Sequence, residues 1–165
     1  MLQKKICMLG TNSVGKTSLV SQFVHTHFSD KYVSNIGVML EKKTLRANNT
    51  EVELMLWDLY GEDKFQKVMP TQLRGMSGYF LVVDGTRLHT LDDALALNER
   101  ISLTAAKVPS LLLLNKADLA DQWEIPKDRP AQLAAQGWEI LLTSAKTGQN
   151  VEEAFQRLTL KMLQK

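Results

Sequence analysis

Hydrophobic positions along this 165-residue chain fall into two patterns, short continuous runs and helical stripes, and the two take turns. "KKICMLG" (4–10) is a run that stops on a glycine and predicts a strand. "KTSLVSQFVHTHF" (16–28) follows, with Leu19, Val20, Phe23 and Val24 on one helical face. "VMLEKKTLRA" (38–47) and "EVELMLWD" (51–58) flank Asn48-Asn49, residues that tolerate the turn conformations of a hairpin. In the second arm Val52, Leu54 and Leu56 share one face while Met55 and Trp57 take the other, so both faces are expected to be covered. "GYFLVVDG" (78–85), "SLLLLNK" (110–116) and "WEILLTS" (138–144) are near-continuous apolar runs, as central parallel strands require. Leu91, Ala94, Leu95, Asn98 and Ile101 outline one intervening helix, and Val151, Ala154, Phe155, Leu158 and Met162 the last one. Residues 119–130, with Pro126 and Pro130, read as a loop leading to a short helix near 131–136. This alternation predicts an α/β fold in three layers, α/β/α, with a six-stranded, mostly parallel sheet and one antiparallel hairpin strand, in a single domain over 1–165.

Composition narrows the field without naming a function. Hydrophobic residues at 44% and charged residues at 23% are globular values. Twenty Lys and Arg against 18 Asp and Glu leave +2, too even for nucleic acid or an anionic membrane to be the main partner. The single cysteine, Cys7, lies in an apolar run and reads as a buried thiol. His25, His27 and His89 show no metal-ligand spacing. No run approaches the ~18 apolar residues of a membrane span and no signal peptide opens the chain, so a cytoplasmic monomer is expected.

The chemistry begins at "GTNSVGKT" (10–17), which satisfies G-x-x-x-x-G-K-[ST] between a strand and a helix. Gly10 and Gly15 let the backbone curl so that successive N–H groups face an anion, and the helix adds the positive end of its dipole. In this reading Asn12, Ser13, Val14, Gly15, Lys16, Thr17 and Ser18 surround the phosphates, with Lys16 on the outer ones and the Thr17 hydroxyl on Mg²⁺. The loop implies a nucleoside triphosphate without naming the base. "LLLLNKAD" (111–118) supplies that name. The Asp118 carboxylate can accept from both the ring N–H and the exocyclic amino group of guanine, a pair adenine lacks. Asn115 can bridge the base and neighbouring loops, and the Lys116 stem can cover a ring face. Taken alone "NKAD" is also an ordinary polar loop; "TSAKTG" (143–148) strengthens it with the Ala145 N–H and Lys146.

The order "GTNSVGKT", "WDLYGED", "NKAD", "TSAK" resembles the Ras-like small GTPases, most of all the Rab-type branch, over nearly the whole chain. The resemblance implies a P-loop G domain that binds GTP and GDP with Mg²⁺. Asp118 and Asn115 would read guanine, Lys116 and Lys146 would pack beside it, and Ser144 and Ala145 would complete the base loop, with Phe28 at the base edge. "FSDKYVSNIG" (28–37) is similar to the first switch and "DLYGEDKF" (58–65) to the second, so an effector is expected on 28–38 and 58–75, with an exchange factor and an activating protein as further partners. Asp58 would hold Mg²⁺ through water, and the Gly61 N–H would sense the third phosphate.

Four positions depart from the family's pattern, all around the third phosphate. Asn35 replaces a Mg²⁺-binding threonine, Asn12 a glycine found in Ras itself, Tyr60 a small residue, and Glu62 the glutamine that orients the attacking water. With Lys16, Gly61 and Glu62 as the catalytic set, hydrolysis is expected to be slow. The chain ends at "LKMLQK" without a terminal cysteine, so no lipid anchor is expected, which fits a bacterial relative or a domain of a longer protein. The leading expectation is a switch that cycles between GTP and GDP. A GTP-binding adaptor with negligible hydrolysis is the alternative, and "NKAD" with "TSAK" argues against an ATP-dependent phosphotransferase.

Overall fold

In a computed structural model of the protein, residues 1–26, 38–59, 68–105 and 107–164 are described. Among them are six strands, β1 (Leu2–Leu9), β2 (Val38–Ala47), β3 (Thr50–Leu59), β4 (Gly78–Asp84), β5 (Ser110–Asn115) and β6 (Ile140–Leu142). Four α-helices accompany them, α1 (Lys16–His25), α2 (His89–Thr104), α3 (Arg129–Ala135) and α4 (Val151–Leu163). Two short 3₁₀ turns, Pro70–Leu73 and Ala120–Gln122, were not anticipated. The strands form one sheet in the order β2-β3-β1-β4-β5-β6, in which only β2 runs antiparallel to its neighbour. The expected mixed six-stranded α/β fold is therefore present.

Strand alternation sorts the core into two layers. Ile6 and Met8 of β1 join Leu19, Phe23 and Phe155 under α1 and α4. Cys7 and Leu9 point the other way, toward Leu91, Ala94, Ile101 and Leu133 of α2 and α3. On β3 Val52, Leu54 and Leu56 are fully buried, while Trp57 packs partly buried against the second cluster under the Lys5 ammonium, 4.0 Å from the ring centroid. Burial pushes the Cys7 thiol up to about 12, which keeps it protonated and inert.

Asn48 and Asn49 both take positive φ, 52° and 61°, the mirror-image turn that suits a two-residue hairpin. The last helix buries every position of its stripe. In α2 the stripe is rotated from the expected one: Thr90 and Leu97 are buried and Leu95 is only half-buried. The run "ALAL" offers two phases, and packing selects the one centred on Ala94 and Ile101. The helix expected near 131–136 begins earlier, at Arg129, because Pro130 fits a first turn, where no N–H is needed.

Candidate functional site

Parallel strands deliver their carboxyl ends to one edge of the sheet, where ligands of open α/β sheets bind. Here that edge gathers the 10–15 loop after β1, Asp58 of β3, Asp84 of β4 and Asn115 of β5, with Met8 registered to Asp58 and Asp84 to Asn115.

The 10–15 loop is shaped by what holds its carbonyls. Arg87 Nη2 donates to Asn12 O at 3.0 Å, Lys116 Nζ to Ser13 O at 3.0 Å, and Asn115 Nδ2 to Val14 O at 3.0 Å. No peptide in the described residues is cis. In a planar trans peptide the N–H points opposite the C=O, so the N–H groups of Ser13, Val14 and Gly15 each turn away from the side chain that holds the preceding carbonyl. Left-handed φ at Ser13 (65°) and Gly15 (106°) makes this succession of N–H groups a concave nest, continued by the first-turn N–H groups of α1. A Cβ on Gly15 would collide with the Asn115 amide nitrogen, so only glycine fits there. The result is an anion cradle made of backbone.

Lys16 lies inside it, only 6% exposed. Its Nζ donates to Gly10 O (3.2 Å) and Thr11 O (2.8 Å). Burial lowers its pKa to about 8; Asp58 opposes the shift and Arg87 adds to it. A buried cation paired mainly with neutral carbonyls fits an incoming polyanion. Asp58 is also buried, which raises its carboxyl, with the Thr17 hydrogen bond and Lys16 acting against the rise. Thr17 Oγ1 donates to Asp58 Oδ2. Two oxygen donors in direct contact beside a phosphate cradle suit Mg²⁺, which takes one or two protein oxygens and completes its shell with water and substrate phosphates.

At the far end of the edge, Asn115 is 1% exposed, and its amide oxygen accepts from Thr143 Oγ1 at 3.0 Å. One side chain thus ties the phosphate loop to the 143–148 loop. Lys116 takes a left-handed φ of 70°, and its Nζ pairs with Asp84 at 2.9 Å as well as reaching Ser13. Asp118 is exposed and accepts from Ser144 Oγ at 2.6 Å, while Ser144 Oγ also accepts from Thr147 N at 3.1 Å. Ala145 is buried with its carbonyl on Gln22 Nε2 (2.9 Å), and Lys146 is exposed.

The model Ras family matches residues 5–164. Ras-related protein Rab-1 of Theileria parva is 34% identical over 154 residues, covering 92% of this chain and 70% of that protein. GTP-binding protein Rheb homolog of Dictyostelium discoideum is 34% identical over 159 residues, covering 94% and 85%. Ras-related protein Rab-8B of Homo sapiens is 33% identical over 153 residues, covering 92% and 74%. The chain belongs to the Ras family. It is a P-loop small GTPase, of a family that binds guanine nucleotides, generally with Mg²⁺, and generally works with effectors, exchange factors and activating proteins. No helix among the described residues is long and apolar enough to cross a membrane.

In this Ras-family chain the sequence motifs at 10–18, 58, 115–118 and 144–146 converge on one sheet edge. Phe28, Asn35, Tyr60, Gly61 and Glu62 lie outside the described residues. Sequence reasoning missed Asp84, Arg87, Thr143 and Gln22. Asp84 carried a usable signal, an acid ending a central parallel strand at the edge where such sheets bind ligands. Gln22 and Thr143 carried none, because a polar residue on a helix or at a strand end is usually a solvent contact.

Proposed function

We propose that this Ras-family GTPase is a single-domain switch over residues 1–165 that binds GTP and GDP with Mg²⁺, hydrolyses GTP slowly, and presents 28–38 and 58–75 to an effector. The observation that carries the reading is the convergence of an N–H cradle around Lys16 with a base loop in which Ser144 orients Asp118. In the proposed assignment the N–H groups of Ser13 to Thr17 hold the phosphates and Lys16 neutralises the outer ones. Asp118 reads the two guanine donors, Lys116 and Lys146 flank the ring, and Ala145 offers its N–H, with Phe28 at the base edge. Thr17 and Asp58, with Asn35, would hold Mg²⁺, and the Gly61 N–H would meet the third phosphate. When bound there, Mg²⁺ would offset the negative charge that builds on the phosphate oxygens during transfer. The protein would act as a cytoplasmic monomer, with an exchange factor and an activating protein as further partners.

Slow hydrolysis follows from Glu62. Ionised at pH 7, it can accept a proton from water but cannot donate toward the phosphoryl oxygens as glutamine does. Two like charges ~4 Å apart repel by up to ~4 kcal/mol at an effective dielectric of ~20. Intrinsic turnover should be no faster than that of Ras itself, on the order of 10⁻⁴ s⁻¹. The second reading, an adaptor with negligible hydrolysis, is favoured by the same glutamate together with Asn12, Asn35 and Tyr60.

Mass identification of nucleotide retained through purification, followed by single-turnover hydrolysis in excess Mg²⁺, tests both. Retained guanine nucleotide with slow turnover that rises in Glu62→Gln supports the switch. No detectable turnover in either protein supports the adaptor. A fast native rate that collapses in Glu62→Gln would make Glu62 a general base and overturn the proposed role.

A further inference from the structure

Three cationic or amide side chains orient the phosphate loop, and two of them, Lys116 and Asn115, belong to the base-reading motif. The third, Arg87, belongs to no motif. It comes from the turn after β4, and its planar fork works in two directions: Nε meets Asp84 Oδ2 at 2.9 Å and Nη2 meets Asn12 O at 3.0 Å. Asp84 divides its carboxylate just as cleanly. Oδ2 takes both cations, Arg87 and Lys116, each at 2.9 Å. Oδ1 accepts from Thr86 N (2.9 Å) and Thr86 Oγ1 (2.6 Å), which fixes the carboxylate's angle. The turn itself is clamped from the base side. Glu124 N donates to Gly85 O (2.8 Å), the Glu124 carboxylate accepts from Leu88 N (2.8 Å), and Trp123 lies so close to Gly85 that a Cβ there would enter its ring.

We infer that Asp84 and Arg87 form a positioning pair for the phosphate cradle: Arg87, aimed by Asp84, holds the Asn12 carbonyl and so turns the Ser13 N–H toward the bound phosphates, setting how long nucleotide stays. The inference rests on the nucleotide-binding reading above. The Arg87 fork reaches carboxylate and carbonyl through two nitrogens held in one plane, Nε and Nη2, whereas a lysine at 87 would have to reach both from one ammonium, as Lys116 does from its own place on the other side of Asp84. Neither residue touches the ligand; each acts through the loop.

The test is release of fluorescently labelled GDP from the Mg²⁺-loaded protein into excess GDP, with ³¹P NMR of the bound nucleotide and a thermal melt alongside. Asp84→Asn keeps an oxygen for Thr86, so the turn can survive while the pairing charge is lost. Asp84→Asn and Arg87→Gln should each speed release about ten-fold and shift the bound phosphate resonances. The double variant should be no more than about two-fold worse than either, because one unit has been broken twice. Arg87→Lys should not restore the native rate. Unchanged release in either single variant, multiplying effects in the double, or faster release with unshifted phosphate resonances and a lowered melt would overturn the pair as a positioning unit. If the native protein holds no labelled GDP, the nucleotide reading falls and takes this inference with it. Native retention with indistinguishable variants removes this inference alone.

Discussion

The two ends of the site are built differently. At the base end the motif side chains are tied to the fold: Asn115 to Val14 and Thr143, Lys116 to Ser13 and Asp84, Asp118 to Ser144. At the phosphate and metal end they are tied to one another. Lys16 bonds the carbonyls of its own loop, and Thr17 bonds Asp58. The end proposed to read the base is thus held in shape by bonds to the fold itself. The other end must exchange partners when phosphate and metal enter. That exchange would be favourable because the Lys16 ammonium would trade two neutral carbonyls for ionised phosphate oxygens, pairing charge with charge. Affinity should therefore come mainly from the phosphate end and selectivity from the base end.

The largest effect that can break this contrast is at Lys16. Lys16→Ala removes two hydrogen bonds that would pass to phosphate, each worth roughly 1.5–3 kcal/mol to a charged partner. Affinity for both GTP and GDP should fall about 10³-fold or more by titration with labelled nucleotide. A variant within ten-fold of native would remove Lys16 from the phosphates.

Asp118→Asn should act on selectivity instead. Losing the acceptor leaves two guanine donors unpaired at roughly 1–3 kcal/mol each, about 100-fold against GTP. Preference should move toward xanthosine triphosphate, whose oxo group suits the amide. Competition binding measures the ratio, and equal affinity of the native protein for ATP and GTP would end the assignment.

Asp84 joins the two ends, and its charge can be titrated. Its burial pushes its carboxyl up, but hydrogen bonds from Thr86, Lys116 and Arg87 win and hold it down at about 2. The unfolded chain should titrate near ~3.9. Stability from the ionised group is then complete above pH ~4 and fades as pH falls toward ~2. At ~1.36 kcal/mol per pKa unit it amounts to roughly 2–3 kcal/mol. Urea unfolding should show Asp84→Asn less stable than native by that amount at both pH 7 and pH 5, with the gap shrinking at pH 3. A gap as wide at pH 3 as at pH 7 would mean that packing, not charge, is responsible.

The contrast between the ends also explains what could be read from the chain. The fold was legible because β4 and β5 are near-continuous apolar runs and Asn48-Asn49 marks the one hairpin. The motif residues were legible because their chemistry is tied to fixed spacings within one segment. The bonds that orient them were not. Asn115 reaches Val14 across 101 positions and Gln22 reaches Ala145 across 123, and no local pattern encodes a pairing so distant. The phase of α2 was missed for a smaller reason: Leu95 and Leu97 are equally apolar, and only the neighbouring layer selects Leu97.

Thr17 gives the smallest expected effect and the sharpest view of the metal end. Its hydroxyl now donates to Asp58, so the oxygen lone pairs are available while the proton is engaged. In the proposed assignment Thr17 and Asp58 would hold Mg²⁺, Thr17 offering an oxygen lone pair and Asp58 its negative charge. Thr17→Asn substitutes a longer amide, which keeps polarity but displaces the oxygen. The metal would offset the additional charge that only the triphosphate carries, so GTP should lose about ten-fold more affinity than GDP. Thr17→Ser keeps the hydroxyl and should stay near native. Titrations of both nucleotides should show the difference in Mg²⁺ and lose it in excess EDTA. If Thr17→Asn weakened GTP and GDP equally, or did so regardless of EDTA, the pair of Thr17 and Asp58 would be a structural latch between α1 and β3, and the metal would have to be held elsewhere.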